Sequence, residues 1–186
     1  MNIELRTPKV EVIYIIIKYI EIIILLILAL ISDIKTYKIK NNIVFPFVII
    51  GFLTNMYLDG KEGIFFSLKG MAFPIIALII FFVLRMLGAG DIKLFSAIGA
   101  IMGLEFVLYT IIYSFLAGGI IALILIINRK NGIKRFKHFF QYLKSCILTQ
   151  SILPYTDFDD KSDGGKFRFA LAMTCGVCIN LAIPYF

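Results

Sequence analysis

From Val12 to Ser32 the chain runs 21 residues with only two charged side chains, Lys18 and Glu21, and this stretch constrains the fold more than any other feature. An α-helix rises about 1.5 Å per residue and a bilayer presents about 30 Å of hydrocarbon, so about 20 mostly apolar residues make one span. Lipid offers no hydrogen bonds, so the backbone of such a run must satisfy itself as a helix. The 186 residues offer six candidates, near 12–32, 43–58, 64–87, 92–103, 105–127 and 167–183, the fourth of them visibly short. The first exceeds the roughly 7 to 15 apolar residues of a signal-peptide core, and its lysines follow the run rather than precede it. It is expected to be kept as a transmembrane helix. The chain is therefore expected to be an all-α polytopic membrane protein, a single membrane-embedded domain over 1–186 with six transmembrane helices and no internal repeat.

Sixty per cent of the residues are hydrophobic, which places the chain outside the composition of soluble domains. The net charge of +7 would suggest nucleic acid in a soluble protein, but its distribution points elsewhere. If the loop with Lys35, Lys38 and Lys40 is cytoplasmic, so are Arg85, Lys93 and the segment from Arg129 to Arg168, and fourteen of the 19 Lys and Arg fall on that side. Positive residues gather on the cytoplasmic side of membrane proteins, so both termini are expected outside, the bilayer is the partner, and no nucleic acid is needed. Between residues 131 and 150, Ile133, Phe136, Phe140, Leu143 and Ile147 recur at helical spacing opposite Lys134, Arg135, Lys137 and Lys144. That pattern predicts a basic amphipathic helix lying in the cytoplasmic interface. The acidic "DFDDKSDGG" at 157–165 reads as a solvated linker.

The three cysteines, Cys146, Cys175 and Cys178, include a CxxC within an apolar stretch, where small thiols are expected to pack rather than bind metal. No metal ligand and no cofactor are expected. Lys18 and Glu21 stand three apart on one helical face and are expected to neutralise one another within the first span.

The remaining ionisable features are two aspartates. Asp33 closes the first run in "LISDIKTYKIKNN", and Asp91 opens the short fourth run in "LGAGDIKLF", at about the same depth on the same side. Alone, Asp91 reads as a helix cap and Asp33 as a surface residue among lysines. Together, two carboxylates that approach one another share a proton and can act as acid and base at once. Gly88 and Gly90 suit such a site, since glycine lets a peptide backbone come close. "GAG" lacks the spacing of a phosphate loop and precedes an acid, which excludes nucleotide binding. The fourth run from Asp91 to Glu105 spans only about 21 Å, so either the bilayer thins there or Asp91 lies recessed below the surface.

"GAGDIKLFSAIGA" resembles the GxGD motif of the type IV prepilin peptidases, and "DIKTYKIKN" resembles the segment after that family's first catalytic aspartate, which usually ends Ile-Pro-Asn. Here those positions are Ile39, Lys40 and Asn41, without the proline. The resemblance implies an aspartic endopeptidase of the plasma membrane that removes a short basic leader from prepilin-like or pseudopilin-like precursors at the cytoplasmic face. It carries Asp33 and Asp91 over as the catalytic pair, with Gly88, Gly90, Lys93 and Asn41 as motif and supporting residues. Longer members also N-methylate the new amino terminus and have a loop with paired CxxC motifs after the first span. Here that loop, 33–42, has no cysteine, so neither methyl transfer nor bound zinc is expected. The rival reading is a small ion- or proton-coupled transporter or channel in which Lys18, Glu21, Asp33 and Asp91 form a route. It would favour charged or broken helices in matching halves, which the sequence lacks.

Overall fold

The computed structural model describes residues 8–84, 86–128 and 169–183, and their regular structure is entirely helical. Six helices follow one another: α1 (Pro8–Thr36), α2 (Asn41–Asp59), α3 (Lys61–Val83), α4 (Ala89–Met102), α5 (Leu104–Asn128) and α6 (Phe169–Ala182). They fall on the six apolar stretches to within a few residues. Four contain segments long and apolar enough to cross a membrane: Val12–Thr36, Asn41–Asp59, Lys61–Val83 and Leu104–Ile124. The other two, α4 and α6, have 14 residues each, about 21 Å of helix. The expected amphipathic helix at 131–150, the 157–165 linker and Cys146 lie outside the described residues.

The outward faces are as apolar as the core. Ile27, Ile49, Leu53, Ile76, Ile80, Leu116 and Ile120 are all more than half exposed. A continuous apolar exterior of this kind suits lipid as solvent and would aggregate in water. Cys175 and Cys178 lie on this exposed side of α6, so they do not pack into the bundle as the sequence suggested. The inner face of α6 is instead taken by Ala172, Met173, Gly176, Val177 and Asn180.

The bundle is built around α4. Ile92 and every residue from Leu94 to Ile101 are buried, and α4 packs on α1, α2, α3 and α5. A helix surrounded on all sides has no polar face to display, which is why this run is uniformly apolar. Its fit against α3 depends on two glycines, Gly70 and Gly99, where a Cβ on either would overlap the carbonyl oxygen of the other. Pro74 lies four residues after Gly70 inside α3 and has no N–H to return to the Gly70 carbonyl, leaving that oxygen to face Gly99.

A helix that ends inside a bundle leaves carbonyls without intrahelical partners. Gly103, at φ +90°, stops α4 in a conformation that side-chain-bearing residues rarely adopt. Asn55 of α2 then supplies donors: its Nδ2 lies 3.0 Å from the Ala100 carbonyl and 3.2 Å from that of Ile101, and also contacts Gly51 O and Ser67 Oγ. Asn180 plays a similar part between α6 and α5, donating to Phe106 O and Thr110 Oγ1.

Glu21 is buried, and its Oε1 accepts a 2.7 Å hydrogen bond from Thr54 of α2. Lys18 is near enough for its charge to act on Glu21, and its ammonium also sits 5.0 Å from the centre of the Phe66 ring on α3. The expected pair is thus drawn into a wider cluster that includes Thr54 and Phe66.

Candidate active site

Asp33 reaches the interior because of the stripe that carries it. Ile22, Leu25, Leu26, Ala29, Ser32 and Asp33 recur at helical spacing and are all buried, so the face of α1 that packs inward ends on this carboxyl. The surface position open to it on the sequence alone is therefore wrong: Asp33 is only 7% exposed.

The chain then turns sharply. Tyr37 takes φ +52°, left-handed backbone unfavourable for an aromatic residue, and its N–H bonds the Asp33 carbonyl at 2.9 Å. The turn brings the Lys38 carbonyl back over the end of α1, where Ser32 Oγ donates to it at 2.8 Å and Thr36 Oγ1 lies at 3.0 Å. Lys40, extended at φ −74° and ψ 138°, leads into α2.

Asp91 enters from α4. It is the third residue of that helix rather than its cap, which is Gly88. The Asp91 Oδ2 accepts the Gly88 N–H at 3.2 Å, the acidic half of a capping box. The two carboxyls are close enough for the charge of Asp33 to act on Asp91.

The supporting residues come together as well. Lys93 Nζ donates to Asn41 Oδ1 at 3.0 Å, joining the GxGD segment to the end of the first-aspartate segment. Gly90 faces Ile39, and a Cβ on Gly90 would stand 3.2 Å from the Ile39 Cβ. The space that glycine was expected to leave for a peptide is, at this position, filled by the chain's own isoleucine. Gly88 faces the Asp91 carboxyl, also at 3.2 Å from a Cβ placed there. Sequence reasoning missed Ser32 and Thr36, whose hydroxyls shape the turn. Among the described residues no three His, Cys, Asp or Glu side chains converge as metal ligands would.

The fold defines a helical, multi-pass membrane protein that carries two carboxyls, Asp33 at the end of α1 and Asp91 in the first turn of α4. A family model, the type IV leader peptidase family, matches residues 20–123, a region that includes both aspartates. The chain belongs to that family of peptidases. Comparison with curated proteins and with solved structures gives no match.

Proposed function

We propose that this protein is an aspartic endopeptidase of the plasma membrane that removes the short basic leader from type IV prepilin-like or pseudopilin-like precursors at the cytoplasmic face. The observation that carries the reading is the match of the leader peptidase family to residues 20–123, a region that holds both Asp33 and Asp91. One carboxylate takes a proton from water, whose oxygen attacks the scissile carbonyl carbon. The other carboxyl gives its proton to the carbonyl oxygen. Collapse of the tetrahedral adduct passes a proton to the departing amine and restores the shared proton.

The charge pattern supports an orientation with the loops holding Lys35, Lys38, Lys40 and Lys93 in the cytoplasm and both termini outside. In that orientation the site meets the aqueous leader while the apolar segment of the precursor stays in lipid. The short α4 supports a site recessed from the surface.

Among the described residues, α1 gives the transporter reading no continuous polar path between Glu21 and Asp33. Glu21 and Asp33 are twelve residues apart, about 18 Å along α1, and of the inward positions between them Ile22, Leu25, Leu26 and Ala29 are apolar and Ser32, beside Asp33, is polar.

Co-expression with a prepilin, followed by immunoblotting for leader removal, tests the proposal. Asp33→Asn and Asp91→Asn are each expected to abolish processing while the protein still accumulates in the membrane. Processing that survives both single changes would end it.

A further inference from the structure

Residues 38–41 are tied to both helices that carry the aspartates, by three contacts of different kinds. On the α1 side, the Lys38 carbonyl accepts from Ser32 Oγ at 2.8 Å and shares the Thr36 hydroxyl, at 3.0 Å, with the Ser32 carbonyl at 2.9 Å. On the α4 side, the buried Ile39 presses on Gly90, the residue before Asp91. At the far end Asn41 takes the Lys93 ammonium, two residues after Asp91. Residues two apart on a helix do not share a face, so Lys93 is directed toward the start of α2 rather than along the Asp91 carboxyl. Direct packing of α1 on α4 is thin beside that of α2 and α3 on α4. The left-handed Tyr37 at the head of this stretch persists because the contacts after it hold the turn.

We propose that residues 38–41 form a strap that sets the separation of the Asp33 and Asp91 carboxyls, with Ser32, Thr36, Asn41 and Lys93 as positioning residues. The kinetic consequence rests on the peptidase reading; the geometric one does not. A dyad must be held to a fraction of an ångström, and a misplacement of about 1 Å can cost about a hundredfold in rate. Loosening the strap therefore lowers kcat while leaving the precursor's binding to the rest of the bundle in place.

Two measurements on the full-length chain in lipid nanodiscs test this. In the first, positions 33 and 91 both carry cysteine, Cys146, Cys175 and Cys178 are replaced by alanine, and copper phenanthroline drives disulfide formation. Adding Asn41→Leu, or Ser32→Ala with Thr36→Val, is expected to slow cross-linking by about fivefold or more, as a dyad moved by about an ångström or more requires. Lys93→Arg, which keeps a donor for Asn41, and Lys35→Gln, which removes an exposed charge outside the strap, are expected to leave it unchanged. Equal rates with and without the strap changes would overturn the proposal. In the second, with both aspartates intact, Asn41→Leu and Lys93→Met are expected to lower kcat for a prepilin by about tenfold with KM within about twofold. An unchanged kcat would overturn it. If Asn41→Leu fails to fold, Lys93→Met, on a partly exposed side chain, supports both comparisons. A wild-type chain that cleaves no prepilin would refute the peptidase reading, and cross-linking would still decide the strap.

Discussion

At the scale of single residues, Lys40 shows how a motif can keep its geometry while losing its emblem. It stands where the family's Ile-Pro-Asn segment has proline, yet its φ of −74° lies within the range, about −65 ± 15°, to which a proline ring locks the backbone. Lys40→Pro is therefore expected to raise stability by about 0.4 to 1 kcal/mol through a less flexible unfolded chain, with the rate of leader removal unchanged. Thermal melts in detergent and a processing assay check the two halves, and a loss of stability would mean that the Lys40 N–H or the Ile39 backbone is needed as it is. Asp33, Asp91, Lys93 and Asn41 could be picked out of the sequence because each lies within a few residues of a recognisable motif. Ser32 and Thr36 could not. Their acceptor, the Lys38 carbonyl, comes within reach only after Tyr37 turns left-handed, and nothing in "SDIKTYK" announces that turn. The surroundings of Gly90 are hidden in the sequence for a similar reason: the neighbour that fills its space, Ile39, is far away along the chain.

At the scale of elements, the short α4 was legible and the means of ending it were not. Counting apolar residues between Asp91 and Glu105 is enough to show a helix of about 21 Å. What the count cannot give is the partner of its last carbonyls, because a lone Asn55 in an apolar run has no preferred direction until α2 is packed on α4. Asn55→Leu would strip Ala100 and Ile101 of their side-chain donor at a buried position. Each buried unsatisfied group costs about 1 to 3 kcal/mol, so the pair is expected to lower stability by about 2 kcal/mol or more. Chemical unfolding in micelles measures it, and a variant as stable as the parent would show that the carbonyls find other partners. Gly99→Leu is expected to be more severe, since its Cβ alone overlaps the Gly70 carbonyl and no flexible side chain can yield.

At the scale of the whole molecule, the described residues form six helices with α4 enclosed and isoleucine, leucine and phenylalanine exposed on the outside. The four long apolar helices among the described residues were readable because the membrane imposes a length on a span. The packing order, with α4 innermost, was not, because every helix is rich in apolar residues and periodicity alone does not say which is enclosed. The orientation has its own test: Lys38→Cys and Lys61→Cys lie at opposite ends of α2, in a background without the native cysteines. An impermeant maleimide is expected to label position 61 in intact cells and position 38 only in inverted vesicles, and the reverse pattern would invert the topology. The most direct measurement concerns the dyad itself. The purified chain in nanodiscs is given a prepilin, and the products are read by intact mass against time. Leader removal is expected with the wild type and a fall of at least about a hundredfold with either Asp33→Asn or Asp91→Asn, the scale of general acid–base catalysis. Cleavage at the wild-type rate by either variant would contradict the shared-proton dyad.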